Sequence, residues 1–262
     1  MSPRQPFRWT ALGSMALALM AMGTAQTTTR YRIDQTLSQE VDASSAGQGK
    51  QSLTFHTTSF ITVTLKDSAG GKAMRVVVDS MRGDSTTPIP RAVFDSVRGT
   101  AYRSFVTREG RPGRLEAASA SPAAAQVQGL LSDFFPWVRA GLSPGESWAD
   151  TTVATTGDGA DSVTVRRVTT YRTGATEPRQ PRKAVRVATD YTADIAGSQP
   201  TPSGPARIEG TGRGKGSYLV SPDGQYLGGE WELSSALRMS AEFTPKPVPI
   251  SLRQTTRVST IK

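Results

Sequence analysis

The stretch Gly141-Leu142-Ser143-Pro144-Gly145 fits G-x-S-x-G, a pattern that sets a serine nucleophile on a sharp turn. In that machinery the residue after the serine donates its backbone N–H to the oxyanion hole. Pro144 has no N–H to donate. The base would have to be His56, the only histidine, which precedes the serine against the usual chain order. The five residues therefore read as a tight turn. One histidine and no cysteine cannot build a zinc site of the ordinary kinds. His56 also shares its parity with threonines expected to face solvent, so it reads as a surface residue.

Two further stretches invite a ligand. Glycines 210, 212, 214 and 216 alternate through Gly210-Thr211-Gly212-Arg213-Gly214-Lys215-Gly216-Ser217. A phosphate loop needs Ser or Thr straight after its lysine, and a dinucleotide fingerprint needs a following helix. Neither condition is met. The four glycines share one strand face, a bare strip for an aromatic ring, the helix or a ligand to lie against. Asp158 and Asp161 flank Gly159 without the oxygen spacing of an EF-hand, so a hairpin turn is expected. No carboxylate pair stands out for glycoside chemistry. No catalytic residue, metal ligand or cofactor is assigned, and the reading is non-enzymatic.

The elements that must position any site are extended. Thr29–Val41 places Tyr31, Ile33, Leu37 and Val41 on one face, with Arg32, Asp34, Thr36, Ser38 and Glu40 on the other. The alternation returns at Gln51–Lys66, with Phe55 inward, and at Met74–Met81, across a turn at Asp67–Gly71. Residues 83–99 are irregular and hold Pro88 and Pro90. Ala101–Arg108 and Gly113–Ser119 are expected as strands. In the second half, Ser162–Thr173 pairs with Ala184–Thr192, Gly197–Pro205 is a loop, and Ile250–Ile261 closes the chain. Arg207–Val220 and Gln225–Phe243 form a hairpin. Leu227, Trp231, Leu233, Leu237, Met239 and Phe243 share one parity there, and Gly228-Gly229 marks a bulge.

One helix interrupts this pattern. Ser121 is a good N-cap and Pro122 suits the first turn. Val127, Leu130, Leu131, Phe134 and Phe135 follow at helical spacing, and Pro136 ends an amphipathic helix of about four turns. A strand of 13 residues spans about 43 Å, and sheets that long curl. The fold class is all-β and mainly antiparallel: a long curved sheet or half-barrel covered by one central amphipathic helix. Phe55, Val127, Leu131, Phe134, Phe135, Trp137, Trp148, Tyr218, Trp231 and Met239 either fill the core or line a cavity between helix and sheet.

The ends and the charge set the context. Arg4 and Arg8 precede the apolar run Ala11–Gly23, and Gly23-Thr24-Ala25 supplies small residues. This is the layout of a secretory signal over residues 1–25, too short to span a bilayer. The expected mature chain, 26–262, is one β-rich domain, or two halves joined by the helix and turn at 121–148. Its location is expected to be periplasmic or extracellular, without an integral membrane anchor. The formal charge is +9 for the whole chain, and 29 basic residues face 22 acidic ones after residue 25. Arg166, Arg167, Arg172, Arg182 and Arg186 fall in the densest basic stretch. They are either a solvated face or a contact for an anionic envelope surface. No nucleic-acid motif accompanies them.

A secretory signal, long antiparallel strands and one covering helix resemble the bacterial lipoprotein-carrier class, the LolA, LolB and LppX-like half-barrels. The likeness is one of architecture and carries no residue-by-residue motif. It implies binding of an apolar or amphipathic molecule, such as a lipid or lipidated partner, beneath the helix. Leu142–Trp148 also resembles a G-(D/E)-S-W element of uncharacterised exported bacterial proteins. The competing readings are an envelope structural or interaction protein with a filled core, and a hydrolase with an unrecognised site.

Overall fold

The computed structural model describes residues 25–262 apart from 45–46, 48, 132–133, 160, 180–181, 202–203 and 242–245. The expected signal segment up to residue 24 and Phe243 therefore lie outside the described residues.

Eleven antiparallel strands form one open sheet. The first half comprises β1 (Gln26–Ala43), β2 (Gly49–Ser68), β3 (Gly71–Gly83), β4 (Ala101–Thr107) and β5 (Glu116–Ala117). The second comprises β6 (Ser147–Asp158), β7 (Asp161–Arg179), β8 (Arg182–Thr201), β9 (Gly204–Val220), β10 (Tyr226–Ala241) and β11 (Val248–Ile261). Among the described residues there are two helices, α1 (Arg91–Ser96) and α2 (Pro122–Leu131). The all-β, mainly antiparallel class read from two-residue periodicity is what the chain adopts.

The strand order is β5-β4-β3-β2-β1-β11-β10-β9-β8-β7-β6. The chain starts mid-sheet, walks to one edge, crosses to the other and walks back until β11 pairs with β1. Both halves thus belong to one sheet. Residues 118–146, with α2 inside them, connect the two edges and must travel over one face to do so.

That face is concave at one end. At about 4.8 Å per strand, the edges of a flat eleven-stranded sheet would lie nearly 50 Å apart. Yet Arg111, in the loop between β4 and β5, reaches Asp150 on β6 at 2.6 Å. The sheet has curled far enough for a loop beside one edge to touch the strand at the other.

The crossing segment is shorter in helix than the spacing predicts. α2 ends at Leu131, and Phe134 and Phe135 sit in bends. Ser121 does cap it, its Oγ accepting from the N–H of Ala124 at 3.4 Å. Other expectations also shift. Gly113–Ser119 contracts to the two residues of β5. The irregular stretch at 83–99 contains α1, following Pro90. The loop expected at Gly197–Pro205 is mostly ladder, since Gln199 pairs with Ala206 and Pro200 with Pro205 at the hairpin tip. β6 is a strand that its threonine-rich sequence did not announce.

The core forms where the crossing segment lies. Tyr31 and Ile33 of β1, Ile61 and Val63 of β2, and Val76 and Val78 of β3 meet Val127, Leu131 and Phe134 from above. Tyr218, Val220, Tyr226 and Val258 complete the cluster from the second half.

Candidate functional site

Direct cross-strand neighbours share a face, so the ladder registers fix which side chains line the inner face. Tyr31, Ile33, Leu37 and Val41 point inward as their alternation predicts, and His56 points out. Its Nδ1 lies 2.8 Å from the hydroxyl of Thr36.

At the covered end, packing is complete. The rings of Tyr31 and Tyr226 stack at 5.4 Å, and Phe134 and Phe135 close over them. Tyr31 donates to the carbonyl of Tyr226 at 2.8 Å, and Tyr218 donates to the carbonyl of Trp137. Burial holds the hydroxyls of Tyr31, Tyr218 and Tyr226 far above the usual tyrosine range, so all three stay neutral. Five of the residues proposed to line a cavity, Val127, Leu131, Phe134, Phe135 and Tyr218, are buried here among one another's neighbours. The space left between α2 and the strands is about 70 Å³, beside Phe55, Leu37 and Leu130. Ligand pockets run to about 300–1,000 Å³.

Trp137 and Trp148 belong to a second aromatic group. Trp148 lies parallel to Tyr171 at 5.1 Å, and Trp137 meets both edge-on. Arg111 and Arg139 cover the outer rings of Trp137 and Trp148 at 4.6 and 4.8 Å. The turn between Trp137 and Trp148 accounts for the G-x-S-x-G match. Gly141 and Gly145 both have φ in the left-handed region, at 67° and 85°. Ser143 N–H donates to Glu146 Oε1, and buried Thr173 donates to the Ser143 carbonyl at 2.6 Å. Ser143 thus pins the entry to β6 onto β7. The arrangement is structural.

Beyond the end of α2 the same face changes character. One row runs Val41, Ile250, Leu237, Gly210, Ile195, Val165 across six strands. The next row outward carries Val248, Met239 and Ile208, of which Val248 and Ile208 are buried. The row nearer the helix carries Leu37 and Leu233. Val41, Leu233, Leu237, Met239, Ile250 and Leu252 are all half-buried, neither covered nor free. At this end of the sheet opens a cleft of about 800 Å³. It lies mainly on the outer face, where Glu40, Asp42, Lys50, Glu209 and Arg238 line it, and Ile195, Leu237 and Ile250, whose side chains the registers turn inward, border it from the same strands. Met239 adjoins that region, and Trp231 stands between it and the core.

The glycine strip serves two ends. A Cβ on Gly214 would enter the ring of Tyr191, and one on Gly216 would strike the Cβ of Trp231. These two are bare because aromatic side chains need the room. Gly210, farther along, is bare because a Cβ there would strike Leu237 and the carbonyl of Ala236.

The basic stretch does not act as one patch. Arg166 is exposed on the outer face and pairs with Asp194 at 3.9 Å. Arg172 lies on that face too, and Arg186 there makes a two-pronged pair with Glu177. Arg167 instead points inward, its guanidinium over the ring of Tyr191 at 5.0 Å. Arg182 begins β8, and its side chain lies outside what is described. No group of three or more acidic, histidine or cysteine side chains that could hold a metal occurs among the described residues. No helix among them is long and apolar enough to cross a membrane.

Tyr226 escaped sequence reasoning. Parity puts Leu227 on the Trp231 face, but the register slips between Tyr226 and Gly229. Gly228, at φ 103°, takes up the bulge, and Tyr226 turns into the core instead. The glycine pair was the visible signal; its consequence for facing was not. Comparison with known protein families and with curated proteins found no match to this chain.

Proposed function

We propose that this protein holds an apolar or amphipathic molecule, such as a lipid or the acyl part of a lipidated partner, on the inner face beyond α2, without transforming it. The observation that carries this reading is the half-buried apolar row Val41–Ile250–Leu237–Gly210–Ile195–Val165 on the inner face. Burying apolar surface is worth roughly 25 cal/mol per Å². An elongated acyl chain laid on this row gains that free energy. The space directly under α2 is too small for such a chain. The site therefore moves from beneath the helix to the far half of the same face. The secretory layout of residues 1–25 supports a location in the cell envelope or outside the cell.

A dansylated long-chain fatty acid tests the reading. The expected result is saturable fluorescence enhancement, displaced by unlabelled lipid and weakened at least tenfold by Leu237→Asp or Ile250→Asp. The same substitutions should leave the thermal transition nearly unchanged. A probe that fails to bind, with no lipid in the native mass spectrum of gently purified protein, would instead support the envelope scaffold with a filled core.

A further inference from the structure

The two edges of the sheet are treated very differently. One ends in β5, only two residues long, and loop residues protect the nearby flank of β2. There Thr86 donates to the carbonyl of Thr54, and Asp84 accepts from His56 N–H. The other edge is β6, twelve residues long. Residues 151–157 are exposed at every position, and Val153 is 64% exposed, the most open large apolar side chain described. Free edges are usually blunted by lysine, proline, a bulge or a covering loop. The stretch Thr151-Thr152-Val153-Ala154-Thr155-Thr156 has no charge and no proline, and its pairing to β7 runs without a slip.

We propose that β6 pairs antiparallel with β6 of a second copy of this chain, across a two-fold axis at Val153, joining two sheets into one. The sequence selects both the partner and the register. Antiparallel neighbours directly opposite each other share a face, so the axis must pass through a residue. With the axis at Val153, Thr151 meets Thr155, Thr152 meets Ala154, and Val153 meets its own copy. These are favourable cross-strand pairs. Moving the axis to Ala154 would set Val153 against Thr155 and lose the apolar pair. Moving it to Thr152 would set Val153 against Thr151 and lose the apolar pair. A near-symmetric run of this kind complements itself, as an isologous interface requires.

The absence of cysteine makes the test clean. Opposed residues in an antiparallel pair lie about 4.5–5.5 Å apart at Cα, within disulfide reach. In the full chain, Val153→Cys should cross-link to a dimer under mild oxidation, whereas Ser251→Cys, exposed on another strand, should stay monomeric. Sedimentation of the unmodified chain should show a concentration-dependent dimer, and Val153→Lys should shift it to monomer while the circular dichroism spectrum holds. A chain that sediments as a monomer at all concentrations, with Val153→Cys cross-linking no faster than Ser251→Cys, overturns the proposal. A monomer that instead takes up an extended peptide along β6 overturns it equally.

Discussion

The two halves of the inner face have the same alternating pattern and different fates. Near Tyr31 and Ile33 the face is sealed by α2 and the bends after it, and these side chains are 2% and 0% exposed. Near Val41 and Leu237 the alternation is as regular, but Val41, Leu237 and Ile250 stay half-buried, although Val248 and Ile208 in the next row are buried. Periodicity therefore reports which way a side chain points. It does not report what lies above it. The covered half holds the fold together. The far half leaves a row of apolar side chains only half-buried, which is why the binding proposal rests there.

Alkali should break the covered half first. An unfolded tyrosine ionises near pH 10, whereas burial holds Tyr31, Tyr218 and Tyr226 well above that. Between the two values the unfolded chain binds fewer protons than the folded one, so stability falls as pH rises. The stabilisation is complete below pH 10 and drains away above it. Loss of the circular dichroism signal should therefore coincide with a late step in tyrosinate absorbance. Three tyrosines that ionise with the rest while the strands remain intact would refute the sealed core.

Truncation separates the halves at neutral pH. Phe134→Ala removes a ring packed against Tyr31 and Phe135 and should cost about 3–5 kcal/mol of unfolding free energy. Leu237→Ala removes a half-buried side chain and should cost under about 1.5 kcal/mol, because little packing is lost. Denaturant titration of both variants measures the difference. Equal losses would mean that the far half is as tightly packed as the near one.

How much of this could be read in the sequence depends on the element. Strands with strict alternation declared both their position and their facing, as β1 did through Tyr31, Ile33, Leu37 and Val41. β6 was missed because threonine and alanine at 151–156 give no apolar period: an edge strand buries little, so selection for a pattern is weak. The helix was overextended because Phe134 and Phe135 continue the helical spacing, yet they reach the core from bends after Leu131. Of the candidate site, Met239 and Trp231 were on the right face, and Leu233 and Leu237 were visible at the same parity. The row they form with Ile250 and Ile195 depends on the register between distant strands, which spacing along one strand cannot supply. The rings against Gly214 and Gly216 likewise depend on Tyr191 and Trp231 arriving from neighbouring strands.

The finest contrast lies within the covered half itself. Tyr218 and Tyr226 are both buried, with ring centroids 6.2 Å apart. The hydroxyl of Tyr218 donates to the Trp137 carbonyl, whereas that of Tyr226 has no hydrogen-bond partner among the described residues. A buried hydroxyl without a partner costs free energy, and one with a partner contributes a net ~1 kcal/mol. Tyr218→Phe should lower stability by about 1–2 kcal/mol, since it also strands the carbonyl that ties the crossing segment to β9. Tyr226→Phe should be neutral or slightly stabilising at neutral pH, because it deletes an unpaid desolvation and keeps the stack on Tyr31. Chemical denaturation of the two single variants decides it. A larger loss for Tyr226→Phe than for Tyr218→Phe would show that the Tyr226 hydroxyl is bonded in solution and that the sealed core is wetter than its packing implies.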